Sequence, residues 1–164
     1  MDNATVKCEH DPVDLRESVA SGIEQCLSQR DSESYRLSVL RPTDGDWSIA
    51  IEPNKPGCAA IDLIVCAHDV DLTTGYEVSF NIPHDIEMAK EDQAVVAFVI
   101  DAVEAIVSGQ LVEEVLRRGS HVYGCRFRLP VRGRLVTQVR TDVARWIQCF
   151  WRPKKTSVFR YRDY

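Results

Sequence analysis

Asp69 and Asp71 are the residues of this 164-residue chain whose type and spacing come nearest to a catalytic pair. They stand one residue apart, directly after the apolar run of residues 61–67. Two carboxylates so placed can divide acid and base work, or one can attack an electrophile while the other moves a proton. His68 and His84 flank the segment, each beside an aspartate, and an imidazole next to a carboxylate is a usable base. Ser120 and His121 set a hydroxyl beside a further imidazole. None of these residues stands in a nucleophile elbow, an H-E-x-x-H helix, an H-x-E with P-C-x-x-C pattern or a glycine-rich phosphate loop. The calcium-loop pattern fails as well, because Phe80 stands where the bidentate glutamate belongs. Each residue also has a structural use. Turn aspartates bond their own backbone, and His84, between Pro83 and Asp85, marks the entry to a helix.

The segment Asp69-Val70-Asp71-Leu72-Thr73 resembles the first motif of haloacid-dehalogenase-type phosphohydrolases. The resemblance implies Asp69 as the nucleophile on phosphorus, Asp71 as the acid/base, and magnesium shielding the charge. It covers five residues. The family's later acidic pair, which holds magnesium, has no counterpart after an apolar strand: beyond Glu104 the only acids are Glu113, Glu114, Asp142 and Asp163.

Charge is distributed unevenly. Residues 1–104 hold 7 Lys+Arg against 21 Asp+Glu, a net of −14, and residues 105–164 hold 13 against 4, a net of +9. The halves can neutralise one another by folding together, with groups such as Arg126 and Arg128 covering the acids. Alternatively an acidic face stays open for a basic partner, since a surface of one sign steers and speeds association. Asp44 and Asp46 fall in one expected turn, Asp69 and Asp71 in another. In an antiparallel meander the first and third turns share an end, so these four carboxylates are the expected partner-binding residues, gathered on one rim. The C-terminal segment mixes Trp151, Phe159, Tyr161 and Tyr164 with Arg152, Lys154, Lys155, Arg160 and Arg162. Such a mixture can grip nucleic acid. The acidic remainder would repel that partner, so packing against the acidic half is the expectation.

The elements that would position these residues are legible as periodicities. Asp11 and Pro12 suit the start of a helix, and Leu15, Val19, Ile23, Cys26 and Leu27 recur at helical spacing. Four strands follow. Tyr35, Leu37 and Val39 alternate with polar residues, as do Trp47, Ile49 and Ile51; residues 59–67 are nearly all apolar and read as the central strand; Tyr76, Val78, Phe80 and Ile82 alternate after a turn at residues 69–75. Asp85 caps a helix over residues 86–108, apolar nearly all round and therefore buried. Leu111, Val112, Val115 and Leu116 suggest a short second helix. A fifth strand shows His121, Tyr123, Cys125, Phe127 and Leu129 on one face and Arg126 and Arg128 on the other. Leu135, Val139, Val143, Trp146, Ile147 and Phe150 mark a last amphipathic helix, and residues 158–164 an edge strand or tail. The expectation is an α+β fold: an antiparallel four- or five-stranded sheet packed against a long buried helix, with N- and C-terminal amphipathic helices. Residues 1–10 read as a loose tail and 11–164 as one α+β domain.

Six dispersed cysteines without a C-x-x-C pair read as free thiols. A zinc site needs clustered ligands, and the close pair Cys8 and His10 does not by itself make one, so no metal or other cofactor is expected. The N-terminus lacks a signal-peptide core, and no stretch approaches the roughly 18 apolar residues of a membrane span, which makes a cytoplasmic location the expectation. Strong core patterning without a catalytic motif favours a non-enzymatic protein-binding protein or inhibitor. In size and charge the chain resembles bacterial immunity proteins, which occupy the active site of a cognate toxin, and also the secretion chaperones that bind effectors and dimerise. The expected partner is a basic protein, toxin or effector, with neither membrane nor nucleic acid; a homodimer is compatible with the sequence. A small phosphohydrolase using Asp69 and Asp71 is the enzymatic alternative.

Overall fold

The computed structural model describes residues 14–76, 78–83 and 91–164. The expected helix-capping Asp11 and Asp85, together with Cys8 and His84, lie outside them. The fold is α+β, built on two antiparallel sheets and three helices. Helix α1 (Leu15–Leu27) starts at Asp14, whose side chain accepts from the Arg16 amide at 3.0 Å and satisfies one of the donors a helix start leaves open. Its apolar stripe, Leu15, Val19, Ile23 and Leu27, is buried.

Five strands then form a meander in sequence order: β1 (Tyr35–Leu40), β2 (Trp47–Pro53), β3 (Ile61–Val65), β4 (Val70–Thr74) and β5 (Val78–Ile82). The run read as a central strand is β3, the middle one of five. The turn expected over residues 69–75 is mostly strand β4, joined to β3 by a tight hairpin in which the Cys66 amide donates to the Asp69 carbonyl at 2.9 Å. Val70, Leu72 and Thr74 point inward and Asp71 and Thr73 outward.

Helix α2 (Asp92–Val107) follows. It ends where Gly109, at φ +70, lets the Gln110 amide reach back to the Ala105 carbonyl at 2.9 Å. Helix α1 packs along α2, and Arg30 fastens their C-terminal ends. Its guanidinium donates to Glu104 at 2.7 Å, the Ser108 hydroxyl at 2.7 Å and the Val107 carbonyl at 3.3 Å.

The second half corrects the sequence reading. The expected fifth strand is present as β7 (His121–Val131), but it stands between strands rather than helices: a second sheet forms in the order β8-β7-β6-β9, with β6 (Val112–Arg118), β8 (Arg134–Thr141) and β9 (Lys154–Arg160). The expected short helix at residues 111–116 is strand β6. The expected last helix splits into β8 and a helix of only seven residues, α3 (Val143–Cys149), capped by Asp142. The expected tail strand begins earlier, as edge strand β9. One apolar cluster joins both sheets and the two longer helices. Ile51, Leu63, Leu72 and Phe80 meet Val99 and Ile106 of α2, and Phe127, Leu129 and Val131 of β7. Phe80 stacks on Phe127 with ring centroids 5.4 Å apart. Burying each such side chain contributes about 1.5–3 kcal/mol.

A polar joint reinforces this junction. Glu113 on β6 is fully buried. It accepts from the Tyr76 amide and from the Tyr161 hydroxyl, each at 2.8 Å, so a carboxylate of the second sheet holds the β4–β5 turn of the first. A buried charge is tolerable only with such partners.

Candidate partner-binding surface

The inner face of the meander is covered and its outer face is open. The register gives one outward row across all five strands: Leu40, Ser48, Ile64, Asp71 and Asn81. The next row is Ser38, Ala50, Asp62, Thr73 and Ser79, followed by Arg36 beside Glu52. Most of these side chains are short, which makes the face flat. Two apolar groups stand out of it, Leu40 at 69 % exposure and Ile64 at 49 %.

The acidic rim adjoins the first of these rows. Trp47 pairs with Val65 and Val65 with Val70, so the loop carrying Asp44 and Asp46 lies beside the β3–β4 hairpin carrying Asp69. Asp46 and Asp69 both act on one group, the partly buried Cys66 thiol, with Asp69 the stronger of the two. Burial first, then Asp69 and Asp46, push this thiol up to about 12, so it stays protonated at neutral pH. Asp71 is not part of a turn. It lies one row in, on the open face, and its carboxylate accepts from the Asn81 amide group at 2.8 Å. The four sequence-selected aspartates therefore form a rim of three and a neighbour on the adjoining sheet face. Asp62, the one charged residue of the apolar run of residues 59–67, extends the negative charge along that face.

Several described basic groups that could cover these carboxylates pair with other acids. Arg126 and Arg128 both pair with Glu114 on the second sheet, at 3.6 and 2.9 Å. Near the rim, Arg41 pairs with Glu24 at 3.2 Å while lying over the Trp47 ring, and Arg16 pairs with Asp14 and donates to the Gly45 carbonyl at 2.8 Å. Among the described residues no Lys or Arg pairs with Asp44, Asp46 or Asp71.

The other chemistry-bearing residues lie apart. Asp69 and Asp71 address different partners, a thiol and an amide, and both belong to an antiparallel meander. Ser120 and Arg152 both approach the His121 Nδ1, at 3.2 and 2.9 Å, at the hairpin end of the second sheet. The five described cysteines are free thiols. No described helix is long and apolar enough to cross a membrane. Comparison with known proteins finds no matching protein family, curated protein or solved structure.

Proposed function

We propose that the chain is a non-enzymatic binding protein that neutralises a basic protein partner through this acidic surface, in the manner of an immunity protein. The observation that supports the reading best is the open face itself. It is flat, it presents Leu40 and Ile64 for apolar contact, Asp44, Asp46, Asp69, Asp71 and Asp62 lie on it or along its rim, and among the described residues no Lys or Arg forms an ion pair with Asp44, Asp46, Asp62 or Asp71. Charge of one sign around a small apolar centre selects an oppositely charged partner and speeds encounter. The proposed site of action is the cytoplasm.

The test has two stages. Immobilised protein captures its partner from the cells that make it, and the captured protein is then expressed alone to see whether it arrests growth. Co-expression of the wild-type chain should relieve the arrest, and a chain with Asp44, Asp46, Asp69 and Asp71 all changed to Asn should not. Equal relief by both chains would overturn the reading. A captured partner that is a non-toxic secreted effector would favour the chaperone alternative instead.

A further inference from the structure

The second sheet carries another exposed surface, of different chemistry. Helix α3 lies over the distal part of the second sheet and is fixed at both ends. At its start the Asp142 side chain accepts from the Arg145 amide at 2.9 Å, and the Asp142 amide donates to the Tyr123 carbonyl at 2.7 Å. At its end the Arg118 guanidinium donates to the Phe150 carbonyl at 2.6 Å and the Arg152 carbonyl at 3.1 Å, neutralising the groups a helix end leaves open. Cys149 is the one residue of the helix that is buried. The stripe Val143, Ile147, Phe150 and Trp151 is therefore presented outward on a rigid support, at 56–67 % exposure, with Trp146 beside it. Residues 143–162 contain six Lys+Arg and no Asp or Glu. Lys154 and Lys155 have no carboxylate partner among the described residues.

We propose that this surface docks on an anionic lipid bilayer, lying in its interface. Tryptophans and phenylalanine beside lysines and arginines suit the boundary between headgroups and acyl chains, where the rings and aliphatic side chains enter and the cations meet lipid phosphates. The absence of a spanning stretch, on which the sequence reading set a membrane aside, does not bear on peripheral attachment. A symmetric dimer through the same patch is disfavoured, because a twofold interface sets each patch against its copy and would bring like charges together. Nucleic acid would use the rings and cations but gains nothing from Val143 and Ile147. The acidic remainder of the chain, repelled by anionic lipid, would leave this basic surface as the one that faces the membrane. This inference stands independently of the proposed function.

The experiment is co-sedimentation of the full chain with vesicles of phosphatidylcholine, with and without phosphatidylglycerol. Binding is expected to the anionic vesicles only and to fall steeply with added salt. Replacing Lys154 and Lys155 by Gln should weaken it roughly thirtyfold, at about 1 kcal/mol per cation removed. Replacing Ile147, Phe150 and Trp151 by Ser should abolish it, with an unchanged circular dichroism spectrum confirming the fold. Absence of wild-type binding to anionic vesicles at low salt would overturn the proposal. So would binding unaltered in both variants, self-association through the patch in ultracentrifugation, or capture of single-stranded oligonucleotide in preference to vesicles.

Discussion

Asp46 and Asp69, one in the loop before β2 and one in the β3–β4 hairpin, bring their carboxylates to the same thiol, that of Cys66. The meander makes this meeting: its first and third connections share an end, and the Trp47–Val65–Val70 row brings them side by side. Cys66 thus serves as a built-in reporter of the acidic rim.

Because burial and the two carboxylates raise the Cys66 thiol to about 12, little thiolate is present near pH 8, and its alkylation by iodoacetamide should be far slower than that of an unhindered cysteine. Changing Asp46 and Asp69 to Asn should speed alkylation at Cys66, followed by peptide mass mapping, and move its pH profile downward. The stability linkage has a definite sign. A thiol with a raised folded-state value stabilises the fold fully below its ordinary value near 9, and loses that contribution as pH rises toward 12. An alkylation rate indifferent to both aspartates would show that they do not reach the thiol.

The joint between the sheets is tested at Glu113. Tyr161→Phe removes one bond to a buried carboxylate and should cost about 1–2 kcal/mol, while Glu113→Ala, which strands the Tyr76 amide as well, should cost roughly 3 kcal/mol. The two costs should not add, because both variants lose the same bond, and urea denaturation of the double-mutant cycle measures the coupling. Burial and the Glu113 charge hold the Tyr161 hydroxyl above its ordinary value, so its contribution is present below about pH 10 and declines as pH rises beyond that. Strict additivity would contradict the joint.

Phe127→Ala should destabilise by about 3–5 kcal/mol, since the ring is buried against Phe80 where the two sheets meet. A single, cooperative denaturation in both wild type and variant is expected. A variant in which the second sheet melts separately while the first stays intact would contradict the shared core.

Gly124→Ala tests the β7–β8 pairing. A Cβ at this position would collide with the Arg140 carbonyl oxygen of the neighbouring strand, and backbone cannot step aside as a side-chain tip can. The expected loss is about 1–3 kcal/mol by thermal melting. An unchanged midpoint would show that β8 is not held at this distance.

Much of the first half was legible because its burial follows the period of its elements. The alternation of Ile49 and Ile51, and of Leu63 and Val65, needs one covered face and one open one, and that is what the meander provides. Strand β4 was hidden because its outward residues, Asp71 and Thr73, are also turn formers. In β6 the inward positions are Glu113 and Val115, and a glutamate facing the core breaks the apolar alternation, leaving Leu111, Val112, Val115 and Leu116 at apparent helical spacing. The partner of that glutamate, Tyr161, comes from the far end of the chain and gives no local signal. Leu135 and Val139 likewise matched a helix with Val143 and Ile147, although they are exposed residues of edge strand β8. Of the rim, the pairing of Asp44 and Asp46 with Asp69 could be read from topology alone. The displacement of Asp71 to the sheet face and the role of Cys66 required the register.

The most direct test of the account is the association rate of the captured partner with the wild-type chain and with the quadruple variant Asp44→Lys, Asp46→Lys, Asp69→Lys and Asp71→Lys, measured by stopped flow across a salt series. The acidic surface predicts a rate at least about tenfold lower for the variant at low ionic strength, with the difference shrinking as salt screens the charges and the circular dichroism spectrum unchanged. Equal rates at low salt would contradict it and place the binding surface elsewhere on the molecule.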